Sequence, residues 1–119
     1  MTPPVYTTGS WRPHPGHEDA FLAAWQEFAE WSGRMPDAGA ALLARDLRDP
    51  HRFVSFVAWG SIDAIRAWKA APEFKRRMSQ VQTHVDKFAP TELEVVAASG
   101  SRAGSPTGPP PAPLGAFAH

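Results

Sequence analysis

Apolar residues Phe21, Ala24, Trp25, Phe28 and Trp31 recur three or four apart, with Gln26, Glu27 and Glu30 mostly on the other side. That spacing predicts an amphipathic helix ending near Gly33. Glu18 and Asp19 place negative charge at its positive end. Ahead of it, residues 4–12 (PVYTTGSWR) alternate loosely and are rich in β-branched and aromatic types, which predicts a strand broken by HPGH at 14–17. Residues 39–48 (GAALLARDLR) and 52–59 (RFVSFVAW) are two short apolar runs joined by Asp49, Pro50 and His51. An acidic residue followed by Pro marks a turn, so the pair reads as a β-hairpin.

In the second run both alternating sets are largely apolar, with Val54, Phe56 and Ala58 on one side and Phe53, Val57 and Trp59 on the other. A strand apolar on both sides is buried on both sides. The helices of so small a domain can cover only one face, and the other calls for a partner.

Ser61 is placed to cap a helix carrying Ile62, Ile65 and Trp68 on one side. Ala71–Pro72 interrupts it, and Pro72 suits the first turn of a following helix with Phe74, Met78 and Val81 on one face. Pro90 is expected to end that region, and TELEVVAA (91–98) alternates Leu93 and Val95 against Glu92 and Glu94 as a last strand. The predicted order is β-α-β-β-α-β: a ferredoxin-like α+β domain, a four-stranded antiparallel sheet with helices on one face.

Composition narrows the function. The chain has 119 residues, 43% hydrophobic and 20% charged, the make-up of one globular domain. Twelve Lys+Arg balance twelve Asp+Glu, and no basic stripe is interleaved with aromatics, which argues against nucleic acid. The absence of cysteine excludes disulfides, thiolate metal sites and Cys nucleophiles. The start, MTPPVYTTGSW, lacks the marks of a leader, and no apolar run approaches a membrane span, so a cytoplasmic protein is expected. From Ser99 the sequence turns to Pro, Gly, Ala and Ser. Residues 1–98 are therefore read as the domain and 99–119 as a disordered tail.

The run W-x-S-x-x-A-x-x-A-W-x-x-x-P-E-F, from Trp59 to Phe74, resembles the antibiotic biosynthesis monooxygenase family. So does Pro15-Gly16 followed by acidic residues and Phe21…Trp25, and the resemblance covers roughly residues 4–98. It implies a dimeric α+β barrel in which two sheets meet through their uncovered faces, each subunit holding a pocket between sheet and helices. It also implies an oxygenase that needs no metal or flavin, because the substrate's own carbanion reduces dioxygen. Trp68 matches the Trp that lies beside the aromatic substrate in those enzymes. Relatives commonly carry an Asn where Ala64 stands, and haem-degrading relatives a ligand His where Met78 stands. Haem degradation is accordingly not expected.

On this reading Trp68 and His84 are the candidate catalytic residues. Tyr6, Trp25, Phe28, Phe56, Trp59, Phe74 and Met78 are the candidate substrate-binding residues. No metal site is expected, since the spacing of His14, His17 and His51 matches none. Each candidate also has a plainer explanation. Trp68 suits a packed core, and His84 a solvated helix end. The leading function is a cofactor-independent monooxygenase acting on a small quinol- or polyketide-like aromatic compound, as a homodimer. The alternative is a non-oxidative ligand-binding protein, or a cyclase or isomerase, on the same barrel.

Overall fold

The computed structural model describes residues 4–100. Its elements run β1 (Val5–Pro13), α1 (Glu18–Ser32), β2 (Ala38–Arg45), β3 (Phe53–Trp59), α2 (Ile62–Ala70), α3 (Phe74–Gln82) and β4 (Val85–Glu94). The sheet is antiparallel throughout, in the order β2-β3-β1-β4. This is the expected ferredoxin-like arrangement, with the second helical segment divided in two. Ala71 closes α2 at φ −60°, ψ 140°, the extended backbone that a following proline imposes. Ser61 caps α2 as its position suggests, its hydroxyl accepting from the Ala64 amide at 3.0 Å.

The boundaries of β2 and β4 differ from expectation, and β4 ends at Glu94 rather than Ala98. β2 stops at Arg45 because Asp46 folds back on the turn, accepting from the amides of Arg48 (2.8 Å) and Asp49 (3.2 Å). β4 begins six residues before the expected Thr91 and runs through Pro90, which faces Gly9 of β1. Proline is tolerated there because β4 is an edge strand, where every second amide points away from the sheet and needs no partner. The reading of 99–119 as a tail concerns residues that, beyond Gly100, lie outside those described.

Period-two alternation sorts β1 cleanly: Val5, Thr7, Gly9, Trp11 and Pro13 are buried, while the residues between them are half-buried. The buried set faces the helices together with Phe53, Ser55, Val57 and Trp59 of β3, its register partners. From α1 come Phe21, Trp25, Phe28 and Ser32, and from α2 and α3 Ile65, Trp68 and Val81. The other sheet face carries Tyr6, Thr8, Leu42, Val54, Phe56, Ala58 and Leu93 and, among the described residues, no helix.

Ion pairs tie the β2–β3 turn to β1. Arg12 binds Asp49, and Arg52 binds Asp46 at 2.9 Å while donating to the Ser10 hydroxyl. The Arg48 amide and the Arg52 guanidinium hold Asp46 below the ordinary aspartate value of 3.8, and the Arg12 guanidinium does the same for Asp49. A carboxylate whose folded pKa is lowered stabilises the fold above its unfolded value and loses that contribution as the pH falls through the folded one. The melting temperature should therefore hold from neutral pH to about 5 and fall below about 4. Asp46→Asn should flatten that fall, as measured by circular dichroism melts.

Candidate active-site cavity

The helix-facing side of the sheet is not fully filled. A cavity of about 240 Å³ lies between β1, β3 and β4 below and the helices above. Trp25, Phe28, Ala29 and Ser32 reach it from α1, Trp68 from α2, and Phe74 and Met78 from α3. Thr7, Gly9 and Trp11 of β1 and Ser55 and Val57 of β3 form its floor. Lys69, Gln82, Pro90 and Thr91 also line it and are exposed, so they mark the mouth along the β4 edge.

Rings make most of the wall. Trp68 packs on Phe74 at 4.8 Å edge-to-face and on Phe28 at 5.8 Å, with Trp59 behind it at 4.8 Å. Trp11 stacks on Phe88 at 4.0 Å. Gly9 makes that stack possible, because a Cβ there would fall 2.8 Å from Trp11 Nε1 and 2.9 Å from Phe88 Cε1. Three indoles are each fixed by one buried hydroxyl. Trp11 donates to Ser55 (2.9 Å), Trp59 to Thr7 (3.1 Å) and Trp68 to Ser32 (2.9 Å). Tryptophan N–H groups in a core need an acceptor, and these hydroxyls supply it while locking each ring's orientation.

Among the described lining residues there is no carboxylate and no imidazole. The charged group is Lys69 at the mouth, bound to Glu92 at 2.6 Å, and that contact holds Glu92 below the ordinary carboxylate range. Among the described residues no group of three or more His, Asp or Glu is placed to hold a metal. No described helix is long and apolar enough to cross a membrane.

Of the residues singled out in the sequence, Trp25, Phe28, Trp68, Phe74 and Met78 meet around this cavity. Four do not line it. Tyr6 and Phe56 lie on the uncovered face, a consequence of register: Thr7 and Ser55, one residue along, take the inward positions. Burial raises the Tyr6 phenol above its ordinary 10.0, so it remains neutral at physiological pH. Trp59 is 2% exposed and supports Trp68 from behind. His84 follows α3, with its Nδ1 3.3 Å from that of His17, outside the cavity. The residues that sequence reasoning passed over are the hydroxyls Thr7, Ser32 and Ser55, together with Trp11, Phe88, Lys69 and Gln82. Thr7 and Ser55 belong to the inward period-two sets of β1 and β3, which only the register identifies, and Ser32 lies at the end of α1.

The sequence profile of the family described as antibiotic biosynthesis monooxygenase matches residues 4–80. The chain belongs to the antibiotic biosynthesis monooxygenase family. Its fold is shared with other proteins at low identity. SnoaB, a cofactor-independent oxygenase from Streptomyces nogalater, superposes with a TM-score of 0.74 at 18% identity, over 81% of this chain and 96% of that one. Rv0793 from Mycobacterium tuberculosis gives 0.71 at 17% identity, over 82% and 99%. A conserved protein from Methanosarcina mazei Go1 gives 0.71 at 11%, over 77% and 92%. Among curated proteins none matches this member of the family in sequence. The family match spans β1 to most of α3 and so includes Trp68 and the helical wall of the cavity.

Proposed function

We propose that this chain is a cofactor-independent monooxygenase that oxidises a compact phenol with a free para carbon in the cavity beside Trp68, working as a homodimer. The observation that carries the reading is the ring-walled cavity itself, open at the β4 edge and containing buried hydroxyls. A family member whose cavity had collapsed onto Trp68 would have no room for such chemistry. At about 240 Å³ the space falls below the roughly 300–1,000 Å³ of drug-sized pockets, which suits one or two fused rings.

The chemistry assigned to the protein is modest. A phenol with a free para carbon, ionised to its phenolate, carries carbanion character at that carbon. It transfers an electron to dioxygen and a C–O bond forms, giving a peroxide. Loss of the ring C–H proton then breaks the O–O bond, so one oxygen stays as a quinone carbonyl and the other leaves as water. The walls exclude bulk water, and Trp68, Phe28 and Phe74 hold the ring plane. His84 has no part in this scheme, since it lies outside the cavity. Homodimerisation is supported by the apolar sheet face, which no helix among the described residues covers.

Oxygen consumption by purified, metal-free protein should be measurable with 1-naphthol or another one- or two-ring phenol whose para carbon is free. Trp68→Phe should lower it by about tenfold to a hundredfold, because the ring loses both area and its anchoring bond to Ser32. No uptake with any such compound would contradict the assignment. The lack of a carboxylate or imidazole in the described lining favours the second reading, a non-oxidative binder or isomerase. In that case the protein binds the same aromatics without consuming oxygen.

A further inference from the structure

A hydroxyl carries one proton and two lone pairs, and at Thr7, Ser32 and Ser55 an indole N–H occupies one lone pair. The three residues are 7%, 2% and 6% exposed, and all line the cavity. Among the described side-chain hydrogen bonds none gives the Thr7 or Ser55 proton an acceptor. Ser32 lies on a helix, where its proton can turn back to a carbonyl one turn earlier. Thr7 and Ser55 lie on the two central strands, paired on both sides, where ladder partners engage the carbonyls. Their protons are left for the cavity. Each is a better donor for being in a chain, because an indole that donates to a hydroxyl oxygen polarises its O–H.

We propose that the Trp59–Thr7 and Trp11–Ser55 relays are an oxygen-recognition device that selects planar ligands bearing a carbonyl or phenolate oxygen. The inference rests on the cavity's taking an aromatic ligand, and adds which atoms read it. Thr7 and Ser55 are inward neighbours across the β1–β3 pair, with Thr7 facing Val57 and Gly9 facing Ser55. Gly9 between them bears no side chain, which is what lets the Trp11 indole reach across to Ser55 Oγ. The rings hold any flat hydrocarbon by area. The two O–H groups distinguish it from its oxygenated counterpart, since a hydrocarbon leaves both buried donors unpaired. In the proposed oxidation the same donors would face an oxygen atom of both phenolate and quinone.

The test compares 1,4-naphthoquinone with naphthalene by equilibrium dialysis against the full chain, whose lack of cysteine removes thiol addition as a complication. Wild type should bind the quinone at least about tenfold more tightly, the scale of two buried hydrogen bonds. Ser55→Ala and Thr7→Val should each reduce that ratio about threefold to tenfold while leaving naphthalene affinity within about twofold. Ser55→Thr, which keeps the hydroxyl, should preserve the ratio. A wild-type ratio near one overturns the proposal and leaves the aromatic cavity standing, and that measurement needs no variant to fold. An unchanged ratio in both hydroxyl-deletion variants overturns it as well. Failure of wild type to bind either compound removes the cavity reading and this one with it.

Discussion

Phe56→Asp is expected to sediment as a folded monomer of 13.0 kDa at concentrations where the wild type sediments as a dimer. The cause lies in the alternation of β3. Its inward residues meet the helices, while Val54, Phe56 and Ala58 project from the other side beside Tyr6, Thr8 and Leu42. Leu42 and Leu93 at the two edges of that face remain 40% and 45% exposed. An apolar sheet face without a helix is the surface through which two copies would pair. In a two-fold dimer each substitution appears twice, so two carboxylates would be desolvated together, at several kcal/mol each. Phe56 makes no part of the helix-facing core, so the monomer should retain its far-ultraviolet dichroism. A wild type that is monomeric at micromolar concentration would contradict the pairing.

Trp59→Ala should have the largest effect on stability, about 3–5 kcal/mol in urea denaturation, a large share of the roughly 5–15 kcal/mol that holds a domain folded. Trp59 is almost wholly buried, donates to Thr7 Oγ1 and backs Trp68 at 4.8 Å. Its removal leaves a void beneath the cavity wall and a Thr7 hydroxyl without its donor. Trp59→Phe should be milder on stability yet still slow catalysis, because it frees Trp68 to shift without touching any ligand. If Trp59→Ala unfolded no more easily than wild type, the two rings could not be packed as described.

Much of this architecture was legible in the chain itself. Helical spacing from Phe21 to Trp31, the Ser61 cap and the Ala71–Pro72 break each specified local backbone, and local signals survive folding with little change. β4 was harder to read, because Pro90 acts as a breaker unless its strand is known to lie at an edge, a fact of topology. The cavity was legible where helices build it, since Trp25, Phe28, Trp68, Phe74 and Met78 sit on periodic faces. It was not legible on the sheet. A strand largely apolar on both sides does not reveal which side meets the helices, and it is register that turns Phe56 and Tyr6 away from them. The hydroxyls of Thr7 and Ser55 carry no mark in the sequence until that register is known.

On the proposed function, one atom of dioxygen enters an aromatic ring held beside Trp68. The most direct test is to supply ¹⁸O₂ to metal-free protein with 1-naphthol or another one- or two-ring phenol whose para carbon is free, and to weigh the product by mass spectrometry. The account predicts one labelled oxygen in the product carbonyl, an equal amount of label in water, and loss of both in Trp68→Phe. Unlabelled product, or none at all with every such compound, would contradict it.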